Sequence, residues 1–154
     1  MDLIIAYEGY ISDFGRTGVV GGKANLRQRA LIETVTAACE EMISHIRPGL
    51  AIVKLCRLGD DFLRRHSVLL TEETQDDPEK IYAAFPPHWG HGIGLSWEEP
   101  WFVESDQTIV KEGMYLAVEK ALFQPGIGTV TYEQNLLVHA DGPEVLTTTK
   151  KIWI

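Results

Sequence analysis

Cysteine is scarce in this sequence, and long apolar runs are absent. The two cysteines, Cys39 and Cys56, fall in segments with a helical pattern, so we expect small buried thiols and no disulfide framework. No stretch approaches the ~20 apolar residues of a membrane helix, and the first residues lack the charged, apolar and small regions of a signal peptide. These absences predict a cytoplasmic protein that makes no membrane contact.

Basic residues are outnumbered by acidic ones. The 14 Lys and Arg against 22 Asp and Glu give a formal net charge of −8, which disfavours nucleic acid and anionic membranes as partners. The hydrophobic share of 45% and the charged share of 23% are ordinary for a globular protein. With no internal repeat or linker, the length predicts one domain over residues 1–154.

The first twenty residues read as a strand, a turn at Glu8-Gly9 and a second strand. The spacing of Asp2 and Asp13 allows their carboxylates to lie side by side across this hairpin. Such a pair of like charges needs a cation or a proton between them. The alternative is a frayed terminal Asp2 and a turn-capping Asp13, and spacing alone does not decide between the two.

The middle of the chain reads as helical. After Gly21-Gly22, apolar residues recur at steps of three and four from Lys23 to Ile46, and a second helix is predicted from Ala51 to His66. We interpret His45 and His66, near the helix C-termini, as structural. A polar surface loop is predicted over residues 71–80, and a short helix over residues 78–84.

Two alternating strands follow, over residues 114–123 and 128–139. Each carries one glutamate, Glu119 and Glu133, on its less apolar side, at a spacing that suits a hairpin. Glutamate is disfavoured inside strands, so two on facing strands call for an explanation; the alternative is a solvated sheet face. Residues 145–146 and 152–154 read as short final strands.

A glycine-rich stretch, residues 87–100, contains His91 between Gly90 and Gly92. Glycines beside a histidine let the backbone come close to whatever the imidazole holds. Imidazole is the commonest side-chain ligand for a transition metal, although a single histidine in such a motif is more often a packed or solvated one.

Four carboxylates and one imidazole emerge as candidate metal ligands: Asp2, Asp13, His91, Glu119 and Glu133. This donor set suits Mn, Co, Zn or Fe(II) better than a structural zinc, which prefers thiolates. Two divalent ions would balance the four negative charges, which otherwise repel one another and raise their own pKa values. Two ions about 3.5–4 Å apart can bridge a water and lower its pKa, giving a nucleophile for a carbonyl.

Three blocks resemble the catalytic domain of the pita-bread metallopeptidases, the family of methionine aminopeptidase, aminopeptidase P, prolidase and creatinase. They occur in the family's order, cover nearly the whole chain, and match a double-aspartate hairpin, a Gly-His-Gly-Ile-Gly block and a double-glutamate block with its tail. The segments are Asp2 with Gly9-Tyr10-Ile11-Ser12-Asp13-Phe14-Gly15-Arg16-Thr17, then Gly90-His91-Gly92-Ile93-Gly94-Leu95, then Glu112-Gly113-Met114, Val118-Glu119, Glu133, Leu137-Val138 and Gly142-Pro143-Glu144-Val145-Leu146-Thr147.

The resemblance implies an α+β pita-bread fold. A curved antiparallel sheet would carry the two helices on its convex face and the ligands on its concave face, and the chain would be the C-terminal part of such a domain. The five candidates would bind two divalent ions, with Glu119, His91 and Glu98 as catalytic positions. A metal-bridging hydroxide would attack an amide-type bond of a small peptide or amide, most like the prolidase and aminopeptidase P branch, with Glu119 as general base and acid.

The sequence also departs from the family pattern. Glu98 stands where the family has a histidine that helps hold substrate and oxyanion, and an ionised carboxylate would repel an oxyanion unless protonated or turned away. Lys120 follows Glu119 where the family usually has proline. The family's elements before the first aspartate, including another substrate-contacting histidine, are not in this sequence. His88 is more simply explained by packing beside Trp89 than as a replacement imidazole.

These departures keep other functions open. A non-peptidase relative, such as a creatinase-like hydrolase or a lyase, and an impaired relative acting as a binding module are the alternatives. Metal content separates the binding module from the other two, and substrate screening separates hydrolase from lyase. Without the upstream elements a sheet edge and an apolar face would be uncovered, so we expect a homodimer or association with another chain, as the family's dimers also imply.

Overall fold

The computed structural model describes residues 1–66, 88–124 and 126–154; the loop and short helix predicted over residues 71–84 lie outside them. The described part is α+β, as predicted, and none of its helices is long and apolar enough to cross a membrane. Its elements are β1 (Asp2–Tyr7), β2 (Tyr10–Gly15), α1 (Leu26–His45), α2 (Ile52–Arg65), β3 (Gly90–Ile93), β4 (Trp97–Trp101), β5 (Tyr115–Gln124), β6 (Gly128–His139) and β7 (Gly142–Val145).

Helix α1 begins three residues later than its apolar pattern suggests, because Asn25 caps it. The Asn25 side chain accepts a hydrogen bond from Gln28 N, and the Gln28 side chain accepts one from Asn25 N. This reciprocal pair satisfies N–H groups that a helix start leaves without partners. Helix α2 follows after a short turn and ends at Arg65, with His66 as its C-cap.

Helix α1 packs against one face of the β5–β6 hairpin, and α2 packs against α1. The two strands pair in antiparallel register, so residues of even number from both share a face. On that face Leu116, Val118, Leu136 and Val138 are buried against α1 and α2 in a single core. The two cysteines are free and buried in this part of the protein, as expected from the sequence. The opposite, odd-numbered face carries the predicted ligands.

The larger sheet has five antiparallel strands in the order β4-β3-β5-β6-β7. Strand β4 was not expected, because Glu98-Glu99-Pro100 has low strand propensity; it pairs with β3 across a register shift beside His91. The prediction of a final strand at residues 152–154 is wrong in extent, since only a single bridge joins Trp153 to Gly18.

Strands β1 and β2 form a separate two-stranded sheet, whereas the sequence predicted one continuous sheet. This hairpin packs over β6, and side-chain hydrogen bonds from Arg16 and Thr17, just after β2, join the two. Thr17 Oγ1 donates to Thr131 O at 3.0 Å, and Arg16 donates to the backbone carbonyl of Glu133 and, at 2.7 Å, to Gln134 Oε1. The hairpin therefore forms one wall over the face that carries the glutamates.

Candidate metal centre

The two glutamates meet across the hairpin as the alternation predicts. Glu119 on β5 and Glu133 on β6 are direct register partners on the odd-numbered face. Glu133 is buried and Glu119 is mostly so. A solvated sheet face is therefore not the explanation for these two side chains.

His91 on β3 places its ring between the glutamates. Its Nε2 lies 3.8 Å from Glu119 Oε1 and 3.8 Å from Glu133 Oε1. Its Nδ1 lies 2.9 Å from the carbonyl oxygen of Gly92, and because a carbonyl can only accept, Nδ1 carries the proton. Burial lowers the pKa of His91, so the neutral ring presents an Nε2 lone pair to the carboxylates.

Asp2 and Asp13 join this cluster from the β1–β2 hairpin. Asp2 pairs with Gly15 and Asp13 pairs with Ile4, so the two aspartates are diagonal neighbours on one face rather than directly opposed. The Asp2 carboxyl contacts those of Asp13 and Glu133. Two carboxyl groups in contact require a shared proton. Burial is the main cause that raises the pKa of Asp2, and the negative charge of Asp13 is the second.

The cluster fits a divalent cation. Ligand atoms of Asp13, His91 and Glu133 all lie within 4.8 Å of one another. Asp13 Oδ1 and Glu133 Oε1 are buried with no hydrogen-bond partner, which is costly for a carboxylate unless a cation or a proton serves it. Burial is the main cause that raises the pKa of Glu133 to about 10, and the negative charge of Glu119 is the second. Burial, followed by the negative charge of Asp13, raises the pKa of Glu119 to about 7. Without an ion the cluster therefore holds protons.

The glycines beside His91 serve the sheet more than the imidazole. A Cβ on Gly90, whose φ is 139°, would collide with the carbonyl of Ala117 on β5. A Cβ on Gly92 would collide with the carbonyls of Glu98 and Glu99 on β4. These positions let three backbones approach closely around His91, which differs from the reason inferred from the motif.

A cavity of about 570 Å³ opens beside the cluster. Its lining combines acids and imidazoles with apolar and aromatic side chains. The lining residues are Met1, Asp2, Ile4, Asp13, His88, His91, Trp97, Trp101, Glu119, Ala121, Phe123, Thr129 and Thr131.

A sequence model of metallopeptidase family M24 matches residues 1–140, a range that includes all five candidate ligands. The chain belongs to metallopeptidase family M24. It is 29% identical over 153 residues to the Xaa-Pro dipeptidase of Pyrococcus furiosus, covering 98% of this chain and 40% of that protein. It is 34% identical over 147 residues to an uncharacterized peptidase of Staphylococcus saprophyticus, an alignment that covers 95% of this chain and 38% of that protein. The chain thus spans about 40% of the length of the curated relatives that it matches.

Solved structures agree on the fold. The prolidase from Pyrococcus furiosus superposes with a TM-score of 0.81 at 29% identity, covering 97% of this chain and 40% of that one. The prolidase from Pyrococcus horikoshii superposes with a TM-score of 0.83 at 29% identity, covering 99% of this chain and 40% of that one. A variant of Escherichia coli aminopeptidase P superposes with a TM-score of 0.82 at 23% identity, covering 97% of this chain and 38% of that one. At this identity the likeness shows the fold alone. The expectation of a partial pita-bread domain is confirmed.

Glu98 lies away from the candidate metal centre. Its side chain is exposed, accepts a hydrogen bond from Leu95 N at 3.0 Å and does not line the cavity. Side chains alternate along a strand, so the neighbouring Trp97 faces the cavity instead. A catalytic role for Glu98 stays a prediction, and its placement lends that role no support.

His88, which the sequence favoured as a packing residue, faces the site. It lines the cavity, and its Nδ1 lies 3.3 Å from Glu119 Oε1. That nitrogen is buried and has no hydrogen-bond partner among the described residues. Burial, followed by electrostatic repulsion from His91, lowers the pKa of His88 to about 4, so the His88 ring is neutral at physiological pH. The structure therefore brings a second imidazole to Glu119.

Lys120, which stands in the usual proline position of the family, points to the opposite face and into the core. It is 2% exposed, with Nζ 4.6 Å from the ring centroid of Trp89 and 3.5 Å from the carbonyl oxygen of His88. The Trp89 indole N–H donates to Asp60 at 2.8 Å. Burial lowers the pKa of Lys120, and the negative charge of Asp60 opposes that shift. The lysine thus joins the helical layer to the segment before His91.

Two residues of the site were not singled out from the sequence. Asn135 on β6 holds the backbone of Asp13, accepting from its N at 3.0 Å and donating to its carbonyl oxygen. Trp97 on β4 donates its indole N–H to Asp13 Oδ2 at 2.7 Å. An asparagine inside a strand was an available signal, like the glutamates. A tryptophan in a sequence usually indicates packing, so nothing in the sequence marked Trp97 as part of the site.

Proposed function

We propose that this chain carries the metal centre of an Xaa-Pro peptidase and that it binds two divalent ions, Mn, Co, Zn or Fe, through Asp2, Asp13, His91, Glu119 and Glu133. The observation that carries the proposal is the cluster of four acids and one neutral imidazole, of which Asp13, His91 and Glu133 are buried, and in which two carboxylate oxygens have no hydrogen-bond partner. Metal-dependent hydrolysis of an amide bond is the reaction that this donor set supports best.

When bound, the ions supply Lewis acidity toward the amide carbonyl and lower the pKa of water for attack on it. The side chains determine where protons go. Glu119 faces the cavity, and by the family resemblance it is the carboxylate that would take a proton and return it to the leaving amine; the pKa of about 7 that burial gives it applies to the metal-free protein. His88 stands 3.3 Å from its Oε1 and can hold Glu119 or the substrate in place.

The cavity walls bear on the substrate. Trp97, Trp101 and Phe123 present apolar surface beside the acidic cluster, and aromatic faces pack well against a saturated ring such as that of proline. The names of the relatives, Xaa-Pro dipeptidase and prolidase, point to the same substrate class.

The test is a peptidase assay after removal of metal by a chelator and reloading with Mn or Co. We expect hydrolysis of Xaa-Pro dipeptides in preference to matched Xaa-Ala dipeptides, only in the loaded protein. We expect it to be slower than the ~1–10³ per second of ordinary enzymes, because Glu98 stands where the family resemblance implies a histidine that holds substrate and oxyanion. Glu119→Gln should abolish it. Glu144→Gln, an exposed carboxylate paired with His139, is the matched control.

Two outcomes would count against the proposal. Hydrolysis that persists without metal would remove the metal centre from the mechanism. Loaded protein that binds ions but cleaves no peptide would favour a creatinase-like hydrolase, a lyase or a binding module over a peptidase.

A further inference from the structure

Trp97 makes an unusual contact for a side chain at the mouth of a cavity. Trp97 is 44% exposed as a residue, so apolar packing accounts for only part of its position. Its indole N–H reaches inward and donates to Asp13 Oδ2 at 2.7 Å, and Asp13 itself is buried. A hydrogen bond to a carboxylate is charge-assisted and stronger than one between neutral groups.

The rest of Asp13 is held separately. Asn135 fixes its backbone through Asp13 N and O, and does not touch the carboxylate oxygens. Among the described residues, the carboxylate is contacted by the Trp97 N–H and by the carboxyl of Asp2. The contact with Asp2 depends on a shared proton, which bound cations would displace. The Trp97 N–H does not titrate and cannot itself bind a metal, so it is the donor that stays when an ion binds.

The contact leaves one oxygen for coordination. With Oδ2 held by Trp97, Asp13 Oδ1 remains buried and without a partner, as does Glu133 Oε1, and His91 Nε2 lies 3.8 Å from the latter. These three residues are the ones whose ligand atoms lie within 4.8 Å of one another.

We infer that Trp97 is a positioning residue of the metal centre: by holding Asp13 Oδ2, its indole N–H orients the carboxylate for the ion that Asp13, His91 and Glu133 bind first. This inference rests on the proposed metal centre. Donors that orient ligating carboxylates typically contribute ~10- to 100-fold to metal affinity. The effect belongs to the N–H group and not to the ring.

The experiment is a calorimetric titration of Co(II) into the chelator-treated 154-residue chain. Trp97→Phe keeps the ring and removes the donor, and should weaken the tighter site ~10- to 100-fold. Trp97→Gln places an amide N–H the same number of bonds from Cβ and should recover most of that loss. Trp153→Phe is the matched control, because Trp153 is also half exposed and its N–H donates to Lys150 O at 2.8 Å, in a pair that is not part of the cluster.

Each outcome decides between explanations. If Trp97→Phe binds Co(II) as tightly as wild type, or tighter, Trp97 does not position Asp13. If Trp97→Phe and Trp97→Gln lose affinity equally while melting as wild type does, the ring and not the donor is responsible, and the inference is wrong. If wild type itself binds no ion, the metal centre fails together with the inference, whereas the first two outcomes leave the metal centre standing.

Discussion

Glu119 and Glu133 oppose each other across the β5–β6 hairpin, and each places a carboxylate oxygen 3.8 Å from the same nitrogen of His91. Like charges in direct cross-strand register destabilise a sheet. The metal-free protein meets this cost with protons, since the pKa values of both glutamates are raised, and the proposed holo protein meets it with cations. Stability and metal binding are therefore coupled through the same carboxylates.

The stability of the metal-free protein should fall as the pH rises from about 7 to about 9. Glu133 titrates near 4.5 when unfolded and near 10 when folded, so in this range the folded state holds a proton that the unfolded state has lost. The stabilisation that protonated Glu133 contributes to the folded state is complete below pH 4.5 and disappears as the pH rises through about 10. Below about 6.5 the lowered pKa values of His88 and His91 act in the opposite direction, so the range from about 7 to about 9 avoids the histidines, and the variant Glu133→Gln identifies the part that is due to Glu133.

Denaturant unfolding in the presence of a chelator measures this slope. Glu133→Gln, which mimics the protonated acid, should flatten it while retaining most of the stability. A metal-free protein that becomes more stable between about pH 7 and 9 would show that Glu133 is ionised in the folded state.

Asp13→Ala should remove most of the metal binding. By the family resemblance Asp13 would be a ligand of both ions, and its Oδ1 is buried without a hydrogen-bond partner, as a carboxylate oxygen that serves a cation would be. Elemental analysis after reconstitution should give up to two ions of Mn, Co, Zn or Fe for wild type and fewer for Asp13→Ala. Glu144→Ala, on the surface, should bind as wild type does. Tight binding that survives Asp13→Ala would mean that other residues are the ligands.

Strand parity was sufficient to predict much of this site. Once residues 114–123 and 128–139 are read as paired strands, the alternation puts Glu119 and Glu133 on one face and Leu116 and Val118 on the other, as found. Periodicity likewise located both helices to within a few residues, because an apolar stripe is a local property of the chain.

Contacts between distant segments were not accessible in this way. The donor from Trp97 to Asp13 joins β4 to β2, and neither spacing nor composition relates the two. Strand β4 owes its pairing to β3 rather than to its own propensity, and the separate β1–β2 sheet depends on hydrogen bonds to β6 that no local pattern encodes. Glu98 illustrates the limit, because its motif position suggested the cavity and its strand parity turns it outward.

Lys120→Met should leave the stability of the protein within ~1.5 kcal/mol of wild type or raise it, because similar volume is retained and a buried charge is removed. Lys120→Ala should cost ~2–5 kcal/mol through the cavity that it creates beside Trp89. Denaturant unfolding of both variants tests this, with metal affinity expected to stay unchanged. If Lys120→Met is as destabilising as Lys120→Ala, the charge itself holds the helical layer to the strand.

Glu98→His should change the hydrolysis of Xaa-Pro dipeptides little. Restoring an oxyanion donor is worth roughly 10²–10³ in rate, but only if the new imidazole reaches the substrate, and position 98 faces the turn at Leu95. The assay compares wild type and Glu98→His loaded with Mn or Co. A gain of ~10²-fold or more would show that position 98 does reach the cavity and that glutamate there is a loss of function.

The chain should associate through strand β1. All six of its residues are exposed, and among the described residues it pairs with β2 alone, so its other edge offers unpaired backbone groups. Leu3, Ile5 and Tyr7 lie on the side away from the cavity-lining Asp2 and Ile4. We expect a dimer by light scattering at micromolar concentration, shifted toward monomer by Ile5→Lys. Val20→Lys, which adds the same charge at another exposed apolar residue, should not shift it. Wild type that is monomeric and melts cooperatively would show that β1 needs no partner.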